Sequence, residues 1–164
     1  MQNNPNQHVD KMYQSCVEKC KLLEQMLKLT KKQTEIIDQQ EFEELMKVIE
    51  EKQKKINEIN VLDEAFNNEL QQLKDILKVK SLDEVERDKK IVDSIFLGRL
   101  KDVINDIVEL TKQIADVEKA NSESAGEVYK QLSEKLKDIN KGKKLKTAYS
   151  NKNDAPSVYF DEKK

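Results

Sequence analysis

The sequence predicts an all-α protein, an elongated antiparallel bundle of three to four long helices with a disordered C-terminal tail. Its 164 residues include only three glycines and two prolines, where average usage gives about 20. That scarcity excludes most folds whose tight turns depend on these residues. Charged residues make up 38% of the chain and aromatic residues 5%, so any core is built mainly from Leu, Ile and Val. Apolar residues also recur at the spacing of long helices that meet along a seam.

Three stripes of inward positions, spaced alternately by four and three residues, define the predicted helices. They extend from Val9 to Ile37, from Phe42 to Leu77 and from Phe96 to Val117. A helix with one thin apolar stripe is stable mainly through packing on a partner. These helices therefore pack on each other or on a second chain, and the pattern leaves a homodimer open.

Local signals place the helix ends. Asp38-Gln39-Gln40 interrupts the first stripe, and the acidic run from Glu41 to Glu44 suits the start of the second helix. Lys78-Val79-Lys80 closes that helix. Ser81 followed by Glu84 is a capping-box pattern that opens the third.

Four polar or sulfur-containing residues fall on these inward stripes. Lys52 and Asp63 interrupt the second stripe, and we interpret them as register-setting residues or as side chains that reach the bundle edge. Cys16 and Cys20 lie one helical turn apart. A redox pair or half of a metal site is the alternative, but a tetrahedral site needs more ligands than these two, and the sole histidine, His8, lies outside the predicted helix core. We therefore expect no metal, and two cysteines that act as small apolar residues.

The pattern weakens after Val117. The stretch 121–126 places Asn and Ser on the seam and ends in Gly126, so the third helix is either kinked there or followed by a separate amphipathic helix. Apolar positions resume with a shifted spacing at Val128, Leu132, Leu136 and Ile139. The predicted division of the chain is therefore a bundle core over 1–120, an amphipathic helix over 121–146 and a tail over 147–164.

The tail has no helical period, which predicts disorder, yet it holds Tyr149, Tyr159 and Phe160. Exposed aromatic residues on such a tail favour a short docking motif, because each buries a large area when captured. The alternative is that the tail folds back and caps the end of the bundle.

Several classes of function are disfavoured. The formal net charge of −2 gives no general attraction to nucleic acid or to anionic membranes, although four lysines within 141–146 form a weak basic patch. No apolar run approaches the length of a membrane span, and no signal peptide is visible, so a cytoplasmic protein is expected. Isolated glycines, a lone histidine and the absence of Glu-x-x-His pairs argue against an enzyme and against a cofactor.

The remaining class is a binding protein, and the layout resembles a known family. The stretch from Leu22 to Leu27, then Phe42-Glu43-Glu44-Leu45-Met46, then Ile49 to Gln53, is similar to the FlgN family of flagellar type III export chaperones. The stretches 110–121, 146–151 and 157–164 resemble that family's late helix, its tail tyrosine and the ending of its Gram-positive members.

The resemblance implies a mechanism. The family's late amphipathic helix binds the C-terminal segment of unfolded hook–filament junction proteins, a role that would fall on Val128, Leu132, Leu136 and Ile139. The family's tail tyrosine contacts the cytoplasmic domain of the flagellar export gate, which implies that role for Tyr149. Together with Tyr159 and Phe160, it would form the docking tail.

Two other hypotheses remain. A structural homo-oligomeric coiled coil without cargo predicts that residues 121–146 are buried on the bundle or on a second subunit. A polyanion-binding protein would use Lys141 to Lys146, with affinity that depends strongly on salt.

Overall fold

Four helices form the fold of the chain, as a computed structural model describes it over residues 4–87 and 92–143. They are α1 (Pro5–Asp38), α2 (Phe42–Leu77), the short α3 (Leu82–Arg87) and α4 (Ser94–Lys143). No strand occurs among the described residues, so the prediction of an all-α fold is confirmed. At 1.5 Å per residue, α4 is about 75 Å long and exceeds α1 and α2 by about 20 Å.

The central helix is α1, which packs against both α2 and α4, whereas α2 and α4 make few close backbone approaches to each other. The order in which residues pair along the helices gives the relative directions of the helices. Asn6 bonds Asp93 and Thr30 bonds Asn121, so α1 and α4 run parallel. Lys19 bonds Asp63 and Lys55 bonds Gln25, so α2 runs antiparallel to both.

Most of the predicted helix ends are confirmed. The first turn of α2 carries Glu43 and Glu44, and the turn before it needs the left-handed conformation of Gln40, at φ 57°. At the other end of α2, Lys78 adopts a left-handed C-cap with φ 55°. Both positions take a conformation that glycine adopts more easily, so the chain forms tight helix ends with little glycine.

The predicted start of the third long helix, at Ser81, is wrong. Ser81 accepts a hydrogen bond from the backbone N–H of Glu84 at 3.4 Å, but the helix it opens is the six-residue α3. The long helix begins later, where the side chain of Asp93 accepts a bond from the backbone N–H of Ile95 at 2.8 Å. Asp93 is thus the N-cap of α4, and its own N–H donates to Asn6 of α1.

The core consists of three apolar clusters along the bundle. The basal cluster joins α1, α2 and α4 and also holds Val85 of α3. The middle cluster contains Leu23, Met26 and Ile59, with Leu110 and Ile114 packed against it. The distal cluster lies next to the α1–α2 turn and contains Ile36, Ile37, Leu45 and Val48.

Buried polar residues lie between the middle and distal clusters, where all three long helices contribute. We call them the polar layer; its members are Thr30, Gln33, Thr34, Lys52, Glu118 and Asn121. Lys52 is 4% exposed and pairs with Glu118. The sequence interpretation of Lys52 as a polar interruption inside the bundle agrees with this position.

His8 is a correction to the sequence analysis, which placed it outside the helix core. It lies in the first turns of α1, is 4% exposed and pairs through Nδ1 with Glu69 of α2. A buried histidine of this kind needs a polar partner, and Glu69 also approaches Lys11 at 3.7 Å. The pair joins the beginning of α1 to the last third of α2.

Candidate functional site

The distal end of α4 projects beyond the rest of the bundle. Val128 packs against the distal cluster beside the α1–α2 turn, and α4 continues for 15 more residues to Lys143, or about 20 Å. From Lys130 to Asp138 every residue except Ser133 is exposed. The helix is continuous through 121–126, so the expectation of a separate helix after this stretch is wrong.

The four predicted cargo-binding positions fall into three groups on this segment. Val128 is partly buried on the distal cluster and so belongs in part to the bundle. Leu132 and Leu136 are 36% and 51% exposed and lie one turn apart on one face of the projecting helix. The side chain of Ile139 lies outside the described residues. Leu132 and Leu136 are therefore the apolar pair that the described part of the projecting segment presents to solvent.

Two exposed apolar residues of α2 lie at the same end of the bundle. Phe42 and Met46 are 47% and 37% exposed and follow directly after the α1–α2 turn. The sequence stripe placed Phe42 at an inward position, and this is wrong because Phe42 is the first residue of α2 and no neighbouring helix covers it. Its place beside the turn at 39–41 was the available signal. We call Phe42, Met46, Leu132 and Leu136 the distal apolar set.

A second apolar surface lies nearer the base, between α2 and α4. It is a groove of about 320 Å³. Cys16 and Lys19 of α1 contribute to its lining, and Leu82 of α3 does as well. The remaining lining side chains come mainly from the two flanking helices and include Leu62, Phe66, Leu70, Ile104, Ile107 and Val108. The groove exists because α2 and α4 both pack on α1, whereas their backbones make few close approaches to each other.

Sequence reasoning expected Cys16, Phe66, Leu70 and Ile107 to be seam residues and did not single out Leu62 or Ile104. A usable signal was the apolar pair Ile104 and Val108 beside Leu100, Val103 and Ile107. This makes the apolar face of α4 wider than a seam with one partner requires.

The two cysteines are free thiols that belong to the core and the groove. Burial raises the pKa of the Cys16 thiol from 9.0 to about 11, and burial also raises the pKa of Cys20. A raised pKa keeps a thiol protonated and unreactive at neutral pH. Within residues 4–87 and 92–143, no three side chains of the metal-binding types come together in one place.

The predicted docking residues Tyr149, Tyr159 and Phe160 lie outside the described residues, as do the side chains of Lys141 and Lys143 and all of residues 144–146. Lys143, the last described residue, ends the projecting segment of α4. Among the described helices, none has a stretch that is both long and apolar enough to cross a membrane.

Comparison with known protein families gives a match over most of the chain. The family model described as FlgN protein matches residues 1–157, which cover both the bundle and most of the segment after α4. FlgN proteins are a family of flagellar export chaperones and not of enzymes. Neither the curated proteins nor the solved structures include a match.

Proposed function

The chain belongs to the FlgN family and is a flagellar export chaperone, and from this premise we propose its cargo and its mode of action. Its cargo is the C-terminal segment of hook–filament junction proteins, bound in the cytoplasm. Binding keeps these proteins from premature assembly, and the chaperone then delivers them to the cytoplasmic domain of the flagellar export gate.

The observation that carries this proposal is the projection of α4. Leu132 and Leu136 are exposed on a segment that continues about 20 Å past the point where Val128 packs on the bundle. Surface leucines at this spacing are the pattern with which an amphipathic helix binds another helix or an extended segment. In this proposal Leu132, Leu136 and Ile139 contact the cargo, and Val128 joins that stripe to the bundle.

The proposed contact has the properties that a delivery chaperone requires. Burying two leucines on a partner stabilises a complex by a few kcal/mol, about 2 kcal/mol for each side chain. The cargo segment orders at the same time, which lowers the net affinity. A complex of moderate affinity releases its cargo readily at the export gate.

The tail carries the delivery step in this proposal. Residues 147–164 follow the cargo-binding segment directly, and Tyr149, Tyr159 and Phe160 are the aromatic residues that bind the export gate. Aromatic side chains on a short segment suit such a contact because they bury large areas with few rotatable bonds. Cargo and gate are then bound by adjacent but separate parts of one chain.

The test is calorimetric titration of purified full-length protein with a purified hook–filament junction protein. The double variant Leu132→Asp/Leu136→Asp should lose at least a hundredfold in affinity and keep its helical circular dichroism. The matched control is Val61→Asp/Ile95→Asp, which places the same two charges on apolar residues of α2 and α4 that are 66% and 64% exposed and lie away from the projecting segment. That control should bind as the wild type does.

Two results would overturn the proposal. One is the absence of binding to any hook–filament junction protein, and the other is unchanged affinity in the double variant. Light scattering on the free protein tests the alternative of a structural homo-oligomer. A stable oligomer that dissociates when Leu132 and Leu136 become Asp would identify a second copy as the partner of these leucines.

A further inference from the structure

The polar layer joins the three long helices at one level of the bundle. Lys52 of α2 donates to Gln33 Oε1 of α1 at 3.0 Å and pairs with Glu118 of α4. Asn121, one turn after Glu118, is 1% exposed. It accepts from Thr34 Oγ1 at 2.6 Å and donates to the backbone carbonyl of Thr30 at 2.9 Å.

The levels on either side of the layer are apolar and resemble each other. Leu110 and Ile114 of α4 pack in the middle cluster, and Ala125 and Val128 pack in the distal cluster. If α4 moved by seven residues towards the base, Val117 and Leu132 would take the levels of Leu110 and Ala125 and keep apolar contacts there, whereas Asn121 and Lys135 would take the levels of Ile114 and Val128. Half of these apolar contacts therefore do not discriminate between axial positions of α4 that differ by one heptad, and Asn121 of the polar layer opposes the movement.

The polar layer does discriminate between them. A seven-residue movement would place Ala125 or Thr111 at the level of Glu118, and Val128 or Ile114 at the level of Asn121. Lys52 would then keep its buried charge without the carboxylate of Glu118, and the Thr30 carbonyl would lose the bond from the Asn121 amide. Both changes are unfavourable, so a buried polar set of this kind specifies one register.

We propose that the polar layer is the positioning device of the cargo-binding segment. It fixes α4 at the axial position that leaves Leu132 and Leu136 beyond the α1–α2 turn. A movement of seven residues towards the base would bring Leu132 to the present level of Ala125, against Ile36 and Leu45, and would cover it. The cargo role of the leucines rests on the function proposed above, whereas the axial position is a property of the free protein.

The experiment measures that axial position directly. Spin labels are attached at Lys21→Cys on α1 and Lys135→Cys on α4, two exposed positions, in a background in which Cys16 and Cys20 are Ala. Pulsed electron–electron double resonance then gives the distribution of distances between the labels. The protein with an intact polar layer should give one narrow distribution.

The triple variant Lys52→Met/Glu118→Leu/Asn121→Leu removes the two charges and the buried amide and keeps the volume of the side chains, so that no polar residue of the layer on α4 opposes the movement. We expect a second population, displaced by about 10 Å, which is seven residues at 1.5 Å each, with a melting temperature equal to or above that of the parent. Should this variant lose its helical circular dichroism, Thr34→Val/Asn121→Leu makes the same test from the other half of the layer. A single, unchanged distance in a folded variant would overturn the proposal.

The matched control is Lys19→Met/Asp63→Leu. Lys19 and Asp63 form a second polar pair, at 2.7 Å, but they join only α1 to α2 and are 24% and 42% exposed. This variant should keep one narrow distribution, and a displaced population in it would count against a specific role of the polar layer. The distances are measured without cargo, so they test the layer independently of the cargo assignment. Affinity for a junction protein, titrated separately, should fall in proportion to the displaced population.

Discussion

Lys52 of α2 and Glu118 of α4 form an ion pair across the bundle, between two helices whose backbones make few close approaches to each other. The long lysine side chain spans the distance that the backbones leave open, and Gln33 of α1 accepts a second bond from the same ammonium group. The charges are well removed from solvent, since the two side chains are 5% and 21% exposed. This pair holds together helices that are otherwise linked mainly through α1.

Removal of one partner of this ion pair should destabilise the folded protein. Lys52→Ala leaves Glu118 partly buried without its cation, which we expect to lower the free energy of unfolding by about 3 kcal/mol. Urea denaturation followed by circular dichroism measures it. Lys47→Ala is the control, because Lys47 pairs with Glu44 on the surface with 70% of its side chain exposed, and it should change stability by less than about 0.5 kcal/mol. Equal effects in the two variants would contradict the burial of Lys52.

Leucines of α4 should differ sharply in their contribution to stability. Leu100 is fully buried in the basal cluster, so Leu100→Ala should lower the free energy of unfolding by about 3 kcal/mol. Leu136 is 51% exposed, and Leu136→Ala should cost less than about 0.5 kcal/mol. Denaturation midpoints of the two variants make the comparison. A large loss in Leu136→Ala would place this residue in a packed core.

Stability should fall at alkaline pH because of Cys16. Burial raises the thiol pKa from 9.0 to about 11 in the folded protein. The unfolded chain therefore loses this proton first, and the thiol's contribution is complete below pH 9 and disappears as pH rises through 11. This rise in pKa corresponds to a loss of about 3 kcal/mol when it is complete, of which about 2 kcal/mol has occurred by pH 10.5. The denaturation midpoint should fall more between pH 8 and pH 10.5 in the wild type than in Cys16→Ala, and equal falls in the two proteins would refute this origin.

Removal of residues 147–164 should separate the two binding functions. Because the three apolar clusters are formed by residues between Val9 and Val128 and the cargo leucines lie in α4, we expect the truncated chain to keep the melting temperature and the cargo affinity of the full chain. Binding to the cytoplasmic domain of the export gate should be lost, as measured by surface plasmon resonance. Tyr149→Ala, Tyr159→Ala and Phe160→Ala in the full chain then assign the contact to individual residues. Retained gate binding by the truncated chain would move the contact into residues 1–146.

The helical class and the turns between helices were predictable because their signals are local. The heptad spacing and the acidic first turn of α2 are each read from residues that are close together in the sequence, and the scarcity of glycine is read from the composition. Which side chains of α1 are buried was less predictable. A single stripe describes a helix with one neighbour, whereas α1 lies between two, so Met12, Met26, Gln33 and Ile36 are also buried.

The remaining errors share one cause. The structure at these positions depends on contacts with residues that are distant in the sequence. His8 is buried because Glu69, 61 residues away, lies opposite it, and no local pattern reports that pairing. Ser81 carries a valid capping signal, but the length of the helix that follows depends on packing. For the candidate site, the apolar spacing at Leu132 and Leu136 was readable, whereas the exposure of Phe42 depends on where the neighbouring helices end.

The central position of α1 has a consequence for the order in which the chain acquires its structure during synthesis. Thr30 and its partner Asn121 are separated by 91 residues, and Asn6 and Asp93 by 87. The α1–α2 hairpin emerges from the ribosome before α4 does. Until then, one side of α1 has no covering helix, and the nascent hairpin exposes apolar side chains such as Val9 and Met12. A stalled or truncated chain that ends before Ser94 is therefore a substrate for general folding factors and for proteolysis.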